Sequence, residues 1–371
     1  MTPKERFLAA VRREAPDVVP VAPLIHRRFA HRILAHSDWR AVFDVHRLIG
    51  SIHFRGPLGI GFEVEWDGGW GDDERLELGA DGRVLRHRQL RTPFGALDST
   101  YVYKVIPDDP LVGKLVVPPV KERADWDIYQ AYLEEWTERA SEPALDTVRT
   151  AYEAMGNEGV PSVGIGSVFG DIGLARGMED LLIDLLDIPD RMEAVWCAGL
   201  ARRQRLIEGF LASPSEVLFY DICWATGAMM SPRMFERWVL PDVRRAAELV
   251  HARPGRYIGL YTLGPIRRVL PMLVESGVDF VETFEPNQGD ITLAEAKRLY
   301  GSRICLMGNF DCLVLARGSV EDARREARRC LDEGMEGGGY VMVTADEVPA
   351  DARLENLRAM VETTEEYGRY D

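Results

Sequence analysis

The sequence predicts an α/β protein, a (β/α)8 TIM barrel built as one domain over residues 1–371. Three observations lead to this prediction. From residue 160 onward, short β-branched runs with few charges alternate with helical patterns, as parallel strands covered on both faces do. Two runs upstream bring the strand count to eight, the number in this barrel. No GxGxxG motif follows a strand and no Walker motif occurs, so an open nucleotide-binding sheet lacks its usual support.

The first predicted strand is the apolar run Val18–Ile25, and the second is Gly59–Trp66. Six more follow, and each has about the length of a buried strand. They are Val160–Ser167, Glu216–Cys223, Tyr257–Leu263, Asp279–Glu285, Arg303–Phe310 and Gly339–Asp346.

Residues 56–118 interrupt the alternation of strands and helices. They are rich in Gly and Trp and carry short polar–apolar alternations, which are typical of hairpins. We therefore predict a β-rich excursion over one mouth of the barrel. The charged residues 120–155 are predicted to be helical, and the lack of repeats or linkers favours a single domain.

Several predicted helices have recognisable ends. Ser231 followed by Pro232 combines an N-cap residue with a first-turn proline. Thr292 and Glu295 have the spacing of a capping box, and Gly301 follows as a helix stop. Ser319 begins a helix whose apolar residues recur at steps of three and four.

Composition excludes several classes of protein. The chain has 45 Lys and Arg against 60 Asp and Glu, a formal net charge of −15. It therefore lacks the basic surface that binds nucleic acid or anionic lipid. No apolar run approaches the length of about 18 residues that a membrane span requires. The five cysteines form no CxxC pair, which disfavours disulfides and a cysteine-only zinc site. With no visible signal peptide, these features predict a cytoplasmic protein.

Short segments across the chain, outside residues 60–150, resemble the uroporphyrinogen decarboxylase superfamily, and the opening resembles its methyltransferase-like branch. The superfamily includes the decarboxylase and the methylcobamide:coenzyme M methyltransferases. The matching segments occur in the family's order: Met1–Val11 with Asp17–Val21, Tyr220–Pro232, Ser276–Asp279, Met307–Asp311, Gly337–Tyr340, Asn356–Met360 and Tyr367–Tyr370. This resemblance implies the barrel fold and an enzyme that transfers methyl groups or removes carboxylates.

The chain departs from both known chemistries of the superfamily. Zinc-dependent methyltransferases have a His-x-Cys-Gly sequence where this chain has Tyr261, Leu263 and Gly264, and a thiolate near Asp346. A phenol and an isobutyl group cannot replace imidazole and thiolate ligands, so we expect no bound metal. The decarboxylase has an Arg-Gln-Ala-Gly-Arg motif after the first strand, where this chain has only Ile25–Arg28.

The candidate catalytic residues lie at the carboxyl ends of predicted strands, where barrel enzymes build their sites. Asp221 follows an apolar run and could act as a base or orient a substrate; the alternative is a buried aspartate that accepts backbone N–H bonds. Tyr261 and Asp346 could form a proton-donating pair; the alternative is an unused site in which the ring packs and Asp346 caps a turn.

Six further residues are predicted to bind the substrate. Glu282 interrupts an apolar strand, so it requires either a role in the site or an ion pair in the core. His26 could bind an anion or complete a non-thiolate metal site with Asp221, Glu282 and Asp346. The remaining candidates are Arg27, Asn309 and the two aromatic residues Phe169 and Trp224, for which ordinary packing is the alternative to walling a pocket.

Three functions are consistent with these sequence features. The resemblance favours a demethylase that moves a methyl group from a small-molecule substrate to a corrinoid. The chain has no Asp-x-His-x-x-Gly sequence, so the corrinoid would be carried by a separate corrinoid protein. The second is a metal-free decarboxylase in which Asp221 binds ring N–H groups and Arg27 and Arg28 hold carboxylates. The third is a binding protein on a decayed barrel. We expect no tightly bound cofactor, and a homodimer is the expected assembly.

Overall fold

The computed structural model describes residues 1–36, 38–54, 58–103, 113–283 and 285–370. The chain divides into two compact units. The first unit consists of Met1–Ile60, Leu145–Ile165 and Phe210–Asp371, and the second consists of Gly61–Ala144 and Gly166–Gly209. The single domain over residues 1–371 stays a prediction.

The described strands are β1 (Gly61–Phe62), β2 (Gly71–Leu78), β3 (Val84–Thr92), β4 (Gly95–Tyr103), β5 (Gly113–Val117), β6 (Pro143–Ala144), β7 (Ser162–Gly166), β8 (Val217–Asp221), β9 (Tyr257–Tyr261), β10 (Phe280–Glu282), β11 (Cys305–Met307) and β12 (Tyr340–Val341). The described helices are α1 (Pro3–Val11), α2 (Arg27–Leu34), α3 (Trp39–Ile49), α4 (Asp125–Arg139), α5 (Asp146–Met155), α6 (Val168–Arg176), α7 (Met178–Asp187), α8 (Pro189–Ala212), α9 (Pro232–Trp238), α10 (Leu240–His251), α11 (Leu270–Val274), α12 (Leu293–Tyr300), α13 (Cys312–Arg317), α14 (Val320–Gly334) and α15 (Leu354–Tyr367).

A six-stranded sheet in the order β12-β11-β10-β9-β8-β7 forms the first unit's frame. The pairs from β8 to β12 are parallel. Each of the six strands predicted from residue 160 onward contains one of these strands, so the parallel α/β prediction is confirmed. Helices separate successive strands, as the right-handed crossover of parallel strands requires.

Two upstream segments of the first unit carry bridges without forming regular strands. Val21 forms a parallel bridge with Met342, and the N–H of Ile52 donates to Val21. Parallel bridges also join His53 to Gly159 and Leu58 to Val163. The predicted barrel strand Gly59–Trp66 is wrong, because Gly61 and Phe62 pair antiparallel with β6. Its alternating pattern reflects a short two-stranded ladder rather than a strand buried on both faces.

The core of the first unit lies on one face of the parallel sheet, against α1. Phe7 of α1 packs on Phe54 with ring centroids 4.6 Å apart, and Phe54 meets Phe280 edge-on at 5.6 Å. Gly259 in β9 makes room for this packing, since a Cβ there would lie 1.8 Å from the Phe280 ring. Aromatic residues on this face therefore fill the interior beneath the ends of the strands.

The second unit contains a four-stranded antiparallel sheet in the order β2-β3-β4-β5, followed by helices. The β-rich excursion predicted for residues 56–118 takes this form; residues 56, 57 and 104–112 lie outside the described part of the chain. Buried Asp184 of α7 accepts hydrogen bonds from Trp126, Arg123 and Arg176 at 2.8–3.0 Å. These bonds join α4 to α6 and α7.

The predicted helix ends agree with the structure. Ser231 accepts from the Met234 N–H at 3.3 Å, and Thr292 accepts from the Glu295 N–H at 3.2 Å. Ser319 forms a capping box with Asp322. The charged region 120–155 contains α4 and α5, as predicted. Among the helices described, none is long and apolar enough to cross a membrane.

Candidate active site at the ends of the parallel strands

Three of the predicted site residues form one row across the parallel sheet. Asp221 ends β8 and pairs in register with Tyr261, which ends β9; Tyr261 in turn pairs with Glu282, which ends β10. Residues opposite each other in a parallel sheet direct their side chains to the same face. The Tyr261 ring packs on Phe219 of the core at 5.5 Å, so this row lies above the apolar interior.

Tyr261 is held by a residue from the other end of the sequence. Its hydroxyl donates to Oδ1 of Asp346 over 2.7 Å, and its side chain is only 6% exposed. The Glu347 N–H donates to the same Asp346 oxygen at 2.7 Å. The loop after β12 thus reaches the end of β9. Sequence reasoning predicted this pair, and the structure brings its two members together.

The backbone of Asp346 is fixed by a partly buried thiol. Cys312 Sγ lies 3.2 Å from both the N–H and the C=O of Asp346. Burial raises the pKa of Cys312 to about 12, so the sulfur stays protonated and can donate to the carbonyl. Cys312 was not predicted to contribute, because no sequence pattern relates a cysteine at the start of α13 to the loop after β12.

Asp221 is half-buried in the turn that leaves β8. Its Oδ1 accepts a hydrogen bond of 2.8 Å from the Cys223 N–H. A backbone N–H bond of this kind is what we expect of an aspartate with a structural role. It occupies one of the two carboxylate oxygens. Trp224 follows in the same turn with 46% of its surface exposed, as a residue at an open site can be.

Two glutamates bring further negative charge to this end of the sheet. Glu282 is fully buried. Glu285 accepts a 3.2 Å hydrogen bond from the Gly264 N–H. Burial raises the pKa of Glu285, and the negative charge of Asp346 raises it further against the effect of that hydrogen bond. The carboxylates of Glu285 and Asp346 therefore influence each other.

A second network joins the start of α2 to the loop after β12. His26 is the N-cap of α2, and its Nδ1 accepts from the N–H and Nε of Arg28 at 3.2 and 3.1 Å. Arg28 also donates to Glu347 at 3.0 Å, and His26 Nε2 lies 3.7 Å from that carboxylate. Glu347 was missed from the sequence, since 319 residues separate it from Arg28 and only the fold makes them neighbours.

The other predicted binding residues have different surroundings. Arg27 begins α2 and is half-buried, with its Nε lacking a hydrogen-bond partner among the described residues. The side chain of Asn309 accepts from Arg329 of α14 at 3.0 Å and is 2% exposed. Phe169 is fully buried in α6 of the second unit. The binding roles of these three residues stay predictions.

The donor set at this site does not suit zinc. The Tyr261 hydroxyl already donates to Asp346, and Leu263 packs against the apolar core. Zinc in proteins is bound by thiolates, imidazoles and carboxylates in a tetrahedral arrangement, to which a protonated phenol and an aliphatic side chain add nothing. Within the described ranges, no group of three or more His, Cys, Asp or Glu is arranged to hold a metal ion.

Known proteins give the fold a wider context. Residues 116–367 match the family described as Uroporphyrinogen decarboxylase (URO-D). The chain is similar to the solved structure of a methyltransferase from Methanosarcina mazei, with a TM-score of 0.69 and 16% identity over 99% of both chains. At that identity the likeness shows the fold alone. No curated protein sequence matches the chain.

Weaker structural similarity extends to other enzymes. A glycerophosphoryl diester phosphodiesterase from Parabacteroides distasonis has a TM-score of 0.38 and 10% identity over 95% of this chain and 90% of its own. The 3-keto-D-glucoside 4-epimerase YcjR from E. coli has a TM-score of 0.35 and 13% identity over 65% of this chain and 87% of its own. Scores this low support no argument about function.

Proposed function

The chain belongs to the uroporphyrinogen decarboxylase family, and we propose that it is a methyltransferase that demethylates a small methylated substrate. The methyl acceptor is a corrinoid on a separate corrinoid protein, which supplies a strongly nucleophilic cobalt. The observation that supports this proposal is the 2.7 Å hydrogen bond between Tyr261 and Asp346. It fixes a phenol hydroxyl at the end of β9, where the zinc-dependent relatives are expected to have a metal ligand.

The proposed frame for this chemistry is a closed (β/α)8 barrel made of one domain. The bridges of Val21 with Met342 and of Leu58 with Val163, together with the Ile52–Val21 hydrogen bond, support two further strands between β12 and β7. Eight strands in a ring would direct all their carboxyl ends to one mouth. We also place the protein in the cytoplasm, since all five cysteines are free.

In the proposed mechanism, Tyr261 acts on the atom that leaves. As the bond between the methyl carbon and its oxygen or nitrogen breaks, the electron pair stays on that heteroatom. Before the substrate binds, the Tyr261 hydroxyl donates to Asp346. When the substrate is bound, the O–H turns about the C–O bond and donates to the substrate heteroatom instead. On an oxygen leaving group this donor stabilises the negative charge that develops in the transition state, and on a nitrogen leaving group it binds the electron pair that the departing methyl group leaves behind.

Asp221 and Glu282 flank Tyr261 in the same row and would orient the substrate. Asp221 would do so with its second oxygen, Oδ2, since Oδ1 accepts from Cys223. Trp224, exposed beside Asp221, would provide an aromatic face for a methylated group. His26 and Asn309 would complete the substrate contacts only if the substrate reaches the ends of the first and seventh barrel strands.

A metal-free decarboxylase is the second candidate, and one observation favours it. Arg27 is half-buried at the start of α2, with an Nε that lacks a hydrogen-bond partner among the described residues. A substrate carboxylate would satisfy that group. Arg28 is less suited to this role, because Glu347 already neutralises it at 3.0 Å.

The two candidates differ in the product they release. The protein is incubated with cob(I)alamin and, one at a time, methanol, a methoxybenzoate, trimethylamine and glycine betaine. Methylcobalamin is followed by its absorbance, and the demethylated product by mass spectrometry. The proposal expects methylcobalamin with at least one donor. Release of CO2 from uroporphyrinogen or a hydroxybenzoate, without methyl transfer to cobalamin, would establish the decarboxylase instead.

A further inference from the structure

The antiparallel sheet of the second unit has two edges that differ in character. At one edge, β5 has five residues, contains Lys114, and pairs with β4 through a register shift at Thr100 and Tyr101. Short length, lysine and bulges are features that keep an edge strand from pairing with another chain. At the other edge, β2 has eight residues in unbroken register with β3 and contains no lysine or proline. The β2 edge is neither short nor bulged and has no lysine; its five charged residues include both signs, so they can face opposite charges on another strand.

The backbone groups on the outer side of β2 follow from the adjacent hairpin. The Gly79 N–H donates to the Arg83 carbonyl at 2.8 Å, which continues the β2–β3 ladder as a hydrogen-bonded pair. Hydrogen-bonded and non-hydrogen-bonded pairs alternate in an antiparallel ladder. Glu74, Leu76 and Leu78 therefore turn their N–H and C=O groups away from β3. In the described sheet, β2 has no second strand neighbour to receive them.

The end of β2 also exposes apolar side chains. Leu76 is 68% exposed and Leu78 is 73% exposed. On the same face of the sheet, Leu78 lies opposite Val84, which in turn lies opposite Tyr103. Exposed leucines beside unpaired backbone groups are features of a strand that pairs with another strand.

We propose that β2 pairs antiparallel with β2 of a second copy of this chain, which joins the two sheets across a two-fold axis. Leu76 of each copy lies opposite Leu76 of the other at the axis, and Glu74 lies opposite Leu78 of the second copy. The outward N–H and C=O groups of these residues are then paired with each other. The axis is perpendicular to the sheet, so the exposed leucines of both copies share one face.

The charges on β2 distinguish this register from the two neighbouring ones. All three registers pair the outward N–H and C=O groups of the two β2 strands, and they differ by shifts of two residues. In the proposed register, Arg75 of each copy faces Glu77 of the other. A shift of two residues one way sets Arg75 against Arg75 and Asp73 against Glu77; a shift the other way sets Glu77 against Glu77. Like charges directly opposite each other destabilise a strand pair. The proposed register alone among the three has opposite charges facing each other.

This complementarity of β2 with itself identifies the occupant as a second copy. In a two-fold interface the same surface of both copies is in contact, so that surface must be complementary to itself. Here the Arg75–Glu77 pair forms twice, once on each side of the axis. Within one chain, Arg75 and Glu77 lie 3.3 Å apart and are both exposed, so either can turn to a second copy at little cost. The homodimer expected from the sequence thereby acquires a defined surface.

The test measures the oligomeric state of the full chain by sedimentation equilibrium over a concentration series. Leu76→Lys places two ammonium groups at the axis, whereas Leu186→Lys makes the same change on α7 at a residue that is also 68% exposed. We expect wild type and L186K to dimerise with equal Kd. For L76K we expect a Kd raised at least about tenfold. Circular dichroism verifies that both variants are folded.

A charge exchange tests the register. Arg75→Glu sets like charges opposite each other and should weaken the dimer, whereas the double variant R75E/E77R restores opposite charges and should recover it. A wild-type protein that stays monomeric overturns the proposal. So does a dimer that L76K and R75E leave unchanged, or one that R75E weakens and the double variant fails to restore.

Discussion

The Tyr261 hydroxyl is the group on which the proposed chemistry depends most directly. It combines near-complete burial, a 2.7 Å hydrogen bond to Asp346 and a ring packed on Phe219. The ring and the hydroxyl can be separated experimentally, because the ring contributes to packing and the hydroxyl to the reaction.

We expect Tyr261→Phe to lower methyl transfer by about 10²–10⁴-fold, the usual effect of removing a proton-donating group. The melting temperature should change little, since the ring contact with Phe219 remains. Tyr257→Phe is the matched control, at the start of the same strand and away from Asp346. Equal activities of the two variants would show that the Tyr261 hydroxyl is structural.

Asp221 gives a second prediction at this scale. Asp221→Asn keeps an oxygen that can accept from the Cys223 N–H but removes the negative charge. We expect a fall in kcat/KM of about 10²-fold or more with unchanged unfolding behaviour. The measurement is steady-state kinetics beside thermal unfolding. Normal turnover would assign Asp221 to the turn after β8 alone.

The sequence could indicate where the catalytic candidates lie but not what each one touches. Asp221, Tyr261 and Glu282 share a row because each ends a strand, and strand ends were recognisable. Asn309 also ends a strand region, yet Arg329 of α14 binds its amide oxygen. That contact depends on the packing of a helix 20 residues away, for which the sequence carries no local signal.

At the scale of elements, strands with two covered faces were the most predictable. Their apolar, β-branched runs located β7 to β12 in order, and the caps at Ser231, Thr292 and Ser319 were equally clear. The second predicted barrel strand, Gly59–Trp66, was misplaced, because its alternating pattern fits any amphipathic strand. The parallel bridges lie instead at His53 and Leu58.

The contact between α10 and the start of β10 gives a pH-dependent prediction. His251 Nε2 lies 2.9 Å from Asp279, and this hydrogen bond raises the pKa of His251. Because the raised pKa belongs to the folded state, the stabilisation is present below the unfolded pKa of about 6.5 and is lost as pH rises through the folded value. The pair is partly exposed, so we expect a loss of about 0.5–1 kcal/mol.

Urea unfolding across this pH range measures the effect. His251→Gln should abolish this part of the pH dependence, while His31→Gln, an exposed histidine of α2, should retain it. An unfolding free energy that varies with pH in H251Q as it does in wild type would assign the dependence to other groups.

For the whole molecule, the family is established, and Tyr261 and Leu263 stand where zinc-dependent members are expected to have metal ligands. The match over residues 116–367 and the parallel sheet confirm the family and the parallel α/β class predicted from the sequence, and closure into a (β/α)8 barrel stays a prediction. Substrate identity could not be predicted, because it depends on how residues such as His26 and Glu347 meet, far apart in sequence.

Turnover by metal-depleted protein measures whether Tyr261 and Asp346 serve methyl transfer without zinc. The protein is purified without metal-affinity columns, treated with a chelator, analysed for zinc and assayed with cob(I)alamin and its methyl donor. We expect far less than one zinc per chain and an unchanged rate of methyl transfer, which added zinc does not raise. Activity that disappears on chelation and returns with about one zinc per chain would contradict this expectation.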